Sequence, residues 1–494
     1  MKLSDITDST VDALKSFGAF ATDTVQPTVR LGVTGLSRAG KTVFVTALVR
    51  NLVGDGRLPF FPAHAEGRIE RVVLEPQPDD DVPRFRYEDH LDGFARERPV
   101  WPEGTKRVSQ IRLAIDYTPR SAMRRMLEPA FGRARLNVDI VDYPGEWLID
   151  LAMLEQDFAA WSARALAAGE APHRRDAVAS FRDFVGSIDA DAALDEAVAQ
   201  KGAALYTDYL RASREKEPAL STLGPGRFLM PGDLEGSPLL TFFPLPAGAD
   251  AGSPKGSLRA AMERRYESYK TLVARPFWRN HFCRIDRQIV LFDALAALNS
   301  GPAALGDMSQ AMTEVLKAFR PGASTLVSRM FQRRIDKILF VATKADHLHH
   351  TSHDRLEALA RTMADAAIVR AEFAGAEVRS MAVAAIRATR EAEAEIDGGS
   401  LPCIVGTPRK GEKVGDTVFD GETETALFPG DLPADPARLI RGDEGELPAG
   451  AHDVRVLTFL PPRLTLETPG GKRPAPPHIR LDRAIDFLIG DKLA

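Results

Sequence analysis

One motif near the N-terminus constrains the fold of this 494-residue chain more than any other feature. The segment Gly35-Leu-Ser-Arg-Ala-Gly-Lys-Thr42 follows a β-patterned run, 28–34, and leads into an apolar helical run that ends near Leu52. A glycine-bearing turn placed between a strand and a helix wraps a polyphosphate with its backbone N–H groups. In this pattern Lys41 reaches the β- and γ-phosphates and the Thr42 hydroxyl holds Mg²⁺. The sequence therefore predicts a phosphate-binding loop.

Short apolar strands alternate with helices along much of the chain, which indicates an α/β fold with a mostly parallel sheet and helices on both faces. One long helix, ending near Arg334, is predicted after the strand at 288–293. The other strands are predicted at 28–34, 108–117, 135–141, 337–342 and 378–385. The predicted domains are an N-terminal helical segment at 1–27, a first core part at 28–147 with a long insert at 54–104, a helical insertion subdomain at 148–285, a second core part at 286–390, a small β-rich insertion at 391–475 and a C-terminal core helix at 476–494.

Composition excludes several classes of protein. Hydrophobic residues make up 44% and charged residues 27%, as in an ordinary globular protein, and the net charge of −5 argues against a nucleic-acid partner. Cys283 and Cys403 are far apart, so neither a disulfide scaffold nor a cysteine zinc site is expected. No signal peptide or membrane span is recognised, which predicts a cytoplasmic protein. An apolar stripe within residues 3–20 predicts a helix that docks on its own protein.

A second motif follows the predicted strand at 135–141. Asp142-Tyr-Pro-Gly145 places a carboxylate where it takes the metal through water, and the Gly145 amide where it bonds the γ-phosphate. Turns use the same residues, so the motif gains weight only from its place downstream of the phosphate loop. Thr105 stands just before the strand at 108–117 and is the candidate for a second metal-binding threonine.

A third motif, Thr343-Lys-Ala-Asp346, follows the strand at 337–342. The Asp346 carboxylate would accept hydrogen bonds from guanine N1–H and N2–H₂, and Lys344 would lie along the base. Adenine has no donor at the matching positions, so a desolvated Asp346 would be left unpaired against it. Ala384 and Ala385, after the next strand, are candidates for the last base-contact loop.

The order of these motifs resembles that of Ras-like GTPases. The phosphate loop, the run Val141-Asp-Tyr-Pro-Gly-Glu-Trp147 and the C-terminal Phe487-Leu-Ile-Gly-Asp-Lys-Leu493 look like the bacterial YcjX family of stress-associated P-loop proteins. This resemblance spans nearly the whole chain. It implies a Ras-like P-loop core with inserted subdomains, GTP or GDP and Mg²⁺ as cofactors, and GTP hydrolysis in the cytoplasm. It also leaves room for a membrane-associated protein partner and a peripheral location at the inner membrane.

The catalytic candidates are Lys41, Arg38 and Glu146. The loop also resembles that of the guanylate-binding proteins, which implies that Arg38 folds over the phosphates as a built-in arginine finger, although an arginine that points to solvent is an equal alternative. Glu146 stands where many GTPases place a water-orienting glutamine; a glutamate there orients water or acts as a base, but its charge also repels phosphates. The remaining nucleotide contacts predicted in the loop are Gly35, Ser37, Ala39, Gly40, Thr42 and Val43.

The leading hypothesis is a Mg²⁺-dependent GTP-binding and GTP-hydrolysing switch or stress-linked regulatory protein. One alternative is a P-loop ATPase or kinase in which 343–346 is only a turn. Another is a nucleotide-gated scaffold with negligible turnover, which the large insertion at 148–285 favours. The oligomeric state stays open. A histidine cluster directly after the third motif is predicted to be solvent-exposed loop rather than a metal site: His347, His349, His350 and His353.

Overall fold

A computed structural model gives the three-dimensional structure. It describes residues 27–36, 39–54, 56–105, 107–120, 134–216, 224–248, 254–317, 335–396, 399–433, 435, 440 and 456–494. The predicted N-terminal helix within 3–20 and the loop residues Ser37 and Arg38 lie outside the described residues.

The core is a seven-stranded sheet of order β2-β3-β4-β1-β5-β6-β7. Strands β1 and β4 to β7 run parallel to one another, whereas β3 is antiparallel to both β2 and β4. The strands are β1 Thr28–Gly35, β2 Ile69–Glu75, β3 Ser109–Tyr117, β4 Ala134–Asp142, β5 Arg287–Phe292, β6 Lys337–Ala342 and β7 Glu377–Ala382. This architecture confirms the predicted fold class.

Helices cover both faces of the sheet and build a separate layer beside it. In chain order they are α1 Lys41–Val53, α2 Pro62–Ala65, α3 Tyr87–Ala95, α4 Glu146–Ala152, α5 Phe158–Gly169, α6 Arg175–Ser187, α7 Glu196–Lys216, α8 Gly226–Leu229, α9 Leu258–Tyr269, α10 Arg275–Asn280, α11 Ala294–Ser300, α12 Pro302–Lys317, α13 His353–Phe373 and α14 Leu481–Ile489. Helices α1, α3 and α14 pack on one face of the sheet, and α4 and α11 to α13 pack on the other. Both faces of the parallel strands are therefore buried, which explains their continuous apolar sequences. None of the described helices is long and apolar enough to cross a membrane.

Two details differ from the sequence-based prediction. The long insert contains an additional strand, β2, and helix α3, where no periodic pattern was recognised. The prediction of one long helix ending near Arg334 is wrong at its start. Gly301, with a backbone φ of 95°, separates two helices there, α11 and α12. Only glycine adopts that angle without strain, and Pro302 then begins α12 with a φ suited to a first helical turn. Residues 318–334 lie outside the described part of the chain.

The helical insertion has a hydrophobic core of its own, built largely from aromatic rings. Trp161 stacks on Tyr266 with ring centroids 5.1 Å apart and meets Phe242 edge-on at 5.5 Å. Phe181 and Tyr206 extend the same cluster. Because such pairs add to the burial of large apolar surfaces, the insertion is a packed unit rather than a set of loops.

The β-rich segment near the C-terminus forms two small antiparallel sheets. A three-stranded sheet has the order β12-β9-β8, and β10 pairs with β11 in a hairpin. These strands are β8 Arg390–Ile396, β9 Gly399–Gly406, β10 Lys413–Val414, β11 Thr417–Val418 and β12 Thr425–Leu427. Phe459 packs on Ile404 in the small core between them.

Helix α4, the first element after the second motif, carries a buried carboxylate. Asp150 accepts a hydrogen bond from the Gly226 amide at 2.6 Å and another from the Tyr269 hydroxyl at 2.6 Å. Burial raises the pKa of Asp150 to about 6, against the opposing effects of Tyr269, the Gly226 amide and the nearby Arg227 guanidinium. The folded protein therefore holds a proton on Asp150 more tightly than the unfolded chain does.

We predict that this carboxylate makes the stability of the protein pH-dependent. Since the folded pKa lies above the unfolded value of about 4, the stabilisation is fully present below about pH 4 and is lost as the pH rises through about 6. Wild type should therefore lose on the order of 2 kcal/mol relative to Asp150→Asn across that window, measured by urea unfolding at a series of pH values. Asp365→Asn, at an exposed position on α13, is the matched control. Parallel pH profiles for wild type and Asp150→Asn would contradict the prediction.

Candidate functional site

The carboxyl ends of the parallel strands place the motifs along one edge of the sheet. Val33 of β1 is paired with Asp142 at the end of β4, and β5, on the other side of β1, is paired in turn with β6. The phosphate loop follows β1, the second motif follows β4 and the third follows β6. In open α/β sheets this edge is where ligands bind.

The described part of the phosphate loop has the backbone needed to wrap an anion. Gly40 has a φ of 73° and caps the N-terminus of α1, and a Cβ placed on it would meet nothing within 4 Å. The backbone conformation at position 40 therefore requires glycine, and the space beside this residue is open. The N–H groups of the first turn of α1 have no partner within the helix and are available to a phosphate. Ala39 and Val43 lie at this turn; Ser37 is not described.

Three oxygen-bearing side chains meet beside Lys41. The Thr105 hydroxyl donates to Asp142 Oδ2 at 2.7 Å and lies 3.3 Å from the Thr42 hydroxyl. Lys41 Nζ lies 2.7 Å from Asp142 Oδ1, in an ion pair whose two side chains are only 10% and 2% exposed. Neither of these two atoms makes a well-directed hydrogen bond within the described residues. Hydroxyl and carboxylate oxygens are the ligands that Mg²⁺ prefers, so this set fits a magnesium ion beside a phosphate.

The backbone of Gly145 in the second motif lies close to the start of the phosphate loop. A Cβ added there would overlap the carbonyl oxygen of Gly35 and lie 3.3 Å from the Thr34 hydroxyl. The backbone φ of Gly145 is −62°, so crowding rather than conformation requires glycine. The buried Thr34 hydroxyl has no hydrogen-bond partner among the described residues. A polar group without a partner at this position is consistent with a ligand-binding edge.

Glu146, the first residue of α4, points toward the helical insertion. Its carboxylate forms an ion pair with Arg214 of α7, and the two side chains are 14% and 25% exposed. Its partner is a residue that motif reasoning does not reach.

The third motif forms a compact turn at the end of β6. Lys344 adopts a left-handed conformation with a φ of 62°, and its ammonium forms an ion pair with Asp293. The Asp346 carboxylate is buried and accepts a hydrogen bond from the Ala388 amide at 2.7 Å through one oxygen. The Thr343 hydroxyl donates to the carbonyl of Phe292 at 3.3 Å, which ties the motif to the end of β5. The turn is thus held by tertiary contacts and is not a loose surface turn.

The loop after β7 is partly committed to other contacts. Ala384 exchanges both backbone hydrogen bonds with Ile479, so its N–H group is already used. Ala345 of the third motif donates to the carbonyl of Val383, which brings the two loops together. Ala385, half-buried, is the next residue along this loop.

The prediction that the histidine cluster is solvent-exposed is wrong for three of its members. His347, His349 and His353 are buried, and only His350 is exposed. The ring of His347 meets Phe459 edge-on at 5.1 Å, and burial lowers its pKa. The β-rich segment therefore covers the loop that follows the third motif.

Within the described residues, His349, His350 and Glu391 place possible ligand atoms within 4.8 Å of one another. The Arg387 guanidinium lies 3.8 Å from the Glu391 carboxylate, and His350 is exposed. A guanidinium that close disfavours a second cation on the same carboxylate, so we assign no metal to this cluster.

Two residues at the site escaped motif reasoning because their partners are distant in sequence. Arg214 is 68 residues from Glu146, and Asp293 is 51 residues from Lys344. Asp293 carries a weak local signal, since an acidic residue directly after an apolar strand marks the carboxyl edge of the sheet. Arg214 carries none.

The strand order, together with a glycine-rich loop between β1 and α1, is that of a Ras-like P-loop protein. The chain belongs to the YcjX-like family, DUF463, whose pattern it matches over residues 29–493. It is 37% identical to the Ras-like GTPase YcjX of Escherichia coli (strain K12) over 479 residues, which cover 94% of this chain and 96% of that protein. It is 33% identical to the Ras-like GTPase YcjX of Shewanella oneidensis (strain MR-1) over 482 residues, or 94% of each protein. The family resemblance inferred from the motifs is confirmed.

The contact between Gly145 and Gly35 yields a stability prediction. Gly145→Ala forces a methyl group against a backbone carbonyl that cannot rotate away, so it should destabilise the protein by about 1–3 kcal/mol, measured by thermal or urea unfolding. Gly186→Ala is the matched control, because nothing lies within 4 Å of a Cβ at that position on α6. It should be neutral or stabilise by up to about 1 kcal/mol. Equal unfolding midpoints for Gly145→Ala and wild type would refute the close contact.

Proposed function

We propose that this protein is a Mg²⁺-dependent GTPase, a switch or regulatory enzyme that binds GTP at the carboxyl edge of the sheet and hydrolyses it. The observation that carries the proposal is the convergence of Thr42, Thr105 and Asp142 beside Lys41. These residues come from the phosphate loop, the segment just before β3 and the end of β4, and nothing in a merely structural role requires them to meet. The relatives named Ras-like GTPase support the same class of activity.

Each residue has a distinct role in the proposed mechanism. Lys41 would leave Asp142 and pair with the β- and γ-phosphate oxygens, where charge accumulates during phosphoryl transfer. Thr42 and Thr105 would hold Mg²⁺ directly, and the freed Asp142 would bind it through water. When bound, Mg²⁺ neutralises phosphate charge. The Gly145 amide would bond the γ-phosphate, so the second motif would sense whether that phosphate is present.

Base recognition is assigned to the third motif. The Asp346 carboxylate uses one oxygen for the Ala388 amide, which orients it and leaves the other oxygen for a ligand. A buried carboxylate oriented in this way favours guanine, because its N1–H and N2–H₂ groups both donate. Lys344 would lie along the base, with Thr343 and the loop that contains Ala384 and Ala385 beside it. This arrangement supports the GTPase over an ATPase or kinase.

The catalytic group is less constrained than the binding residues. Glu146 is proposed to orient the attacking water, and Arg38, which lies outside the described residues, to supply positive charge in cis. A nucleotide-gated scaffold with negligible turnover is the alternative that remains if Glu146 does not act on water. A stress-linked role and a membrane-associated protein partner stay predictions that follow from the family resemblance alone, and a cytoplasmic location stays a prediction of the sequence pattern and that resemblance.

Removal of the phosphate-binding ammonium tests the binding site. Lys41→Ala should weaken binding of a fluorescent GTP analogue by at least about 100-fold, because its pairing with two phosphates is lost. The variant leaves the buried Asp142 without its partner, so its folding must be checked by circular dichroism. Lys472→Ala, an exposed lysine remote in sequence, is the control. Unchanged affinity in a folded Lys41→Ala protein would remove the phosphate-loop assignment.

Asp346→Asn replaces a hydrogen-bond acceptor by a donor and so tests whether Asp346 recognises guanine. In Asp346→Asn the amide carbonyl can keep the Ala388 hydrogen bond while the NH₂ group faces the base. Preference should then shift from guanosine to xanthosine nucleotides by about 10-fold or more in competition titrations, since xanthine presents an acceptor where guanine donates. Asp416→Asn, at an exposed turn, should leave specificity unchanged. Equal affinity of wild type for ATP and GTP would favour the ATPase alternative.

A further inference from the structure

The ion pair between Glu146 and Arg214 joins the edge of the nucleotide site to the helical insertion. Glu146 directly follows Gly145, which packs on the carbonyl of Gly35 at the start of the phosphate loop. Arg214 stands near the end of α7, in the insertion. Both side chains are largely buried, at 14% and 25% exposure, so the pair is shielded from water more than most surface ion pairs.

The rest of α4 is held by the same insertion. The Glu146 carbonyl lies so close to Gly226 that a Cβ on that glycine would overlap it. The Arg227 guanidinium lies 3.2 Å from the centroid of the Trp147 ring, and the indole N–H donates to the Met230 carbonyl at 3.1 Å. The hydrogen bonds of Asp150 with the Gly226 amide and the Tyr269 hydroxyl also join α4 to the insertion. Helix α4 is therefore joined to the insertion through Glu146, Trp147 and Asp150.

A glutamate at this position raises an electrostatic problem for a triphosphate site. The Glu146 carboxylate follows the residue whose amide is assigned to the γ-phosphate, and two negative groups repel strongly where water is excluded. A guanidinium on the carboxylate offsets that repulsion and fixes its orientation through a charge-assisted bond. A glutamine at the same position would need no such partner.

We propose that Arg214 is a positioning residue through which the helical insertion neutralises and orients Glu146 for the reaction with GTP. The inference rests on the proposed function. It gives the insertion a specific role, because any ligand or partner that displaces α7 would remove the countercharge from Glu146 and slow hydrolysis. In this proposal Arg214 acts through Glu146 and not by contact with the nucleotide.

A double-mutant cycle in the full-length protein tests the proposal. Wild type, Arg214→Ala, Glu146→Gln and the double variant are titrated with GDP and with a non-hydrolysable GTP analogue, and single-turnover GTP hydrolysis is measured in parallel. Arg214→Ala should weaken the GTP analogue relative to GDP by about 5-fold and slow turnover by about 10-fold, because an uncompensated carboxylate then stands next to the residue assigned to the γ-phosphate. In the Glu146→Gln background both effects of Arg214→Ala should fall within about 2-fold, since the neutral side chain needs no countercharge.

Two further variants separate positioning from a loss of structure. Arg211→Ala, three residues earlier on α7, removes an exposed arginine that lies 3.7 Å from Asp208, and it should leave the affinity ratio unchanged. Arg214→Lys keeps the charge and should restore much of the affinity ratio while restoring less of the turnover. Equal losses from Arg214→Ala in both backgrounds, or faster turnover in that variant, would overturn the proposal. Failure of wild type to bind GTP would instead overturn the proposed function.

Discussion

The parallel pairing of β1 between β4 and β5 is the constraint on which the site depends. The register places Val33 opposite Asp142, so the phosphate loop and the second motif leave the sheet side by side. A slip of one residue would turn every side chain of β1 to the other face of the sheet and separate Lys41 from Asp142. Because residues 31–35 are buried between helices on both faces, the register is set by hydrophobic packing over the whole strand. The chemistry at the edge thus depends on the core.

The same burial explains how much of the fold could be predicted from sequence. Parallel strands covered on both faces read as continuous apolar runs, and β1, β5 and β6 lie within a residue of their predicted positions. Strand β2 escaped prediction because it forms one edge of the sheet, and its exposed and half-buried residues follow no clear period. The break at Gly301 carried a local signal, a glycine followed by a proline, yet the helical pattern on either side obscured it.

Within the site, residues of short motifs could be predicted from the sequence, whereas partners that lie far apart in the chain could not. The phosphate loop, Asp142 and Asp346 belong to short motifs whose chemistry requires neighbouring residues, so spacing alone locates them. The position of Thr105 could be proposed only from its place before β3, since a long insert separates it from the loop. Arg214 and Asp293 could not be found, because the folded chain brings them to Glu146 and Lys344 across many residues that carry no shared pattern. Long-range charge pairs are a property of the tertiary structure.

Three ion pairs lie along this edge of the sheet, and this pairing bears on how the site would respond to a ligand. Lys41 pairs with Asp142, Lys344 with Asp293, and Glu146 with Arg214. A buried charge without a partner is costly, so each pair offsets the cost of burying its two members. In the proposed function, binding exchanges the first pair for contacts with phosphate and metal, so that one set of charge interactions replaces another. The pair of Glu146 and Arg214 is different, because its partners belong to the nucleotide edge and to the insertion. Nucleotide binding does not require this pair to break. If the pair persists through the reaction, the insertion is part of the catalytic unit.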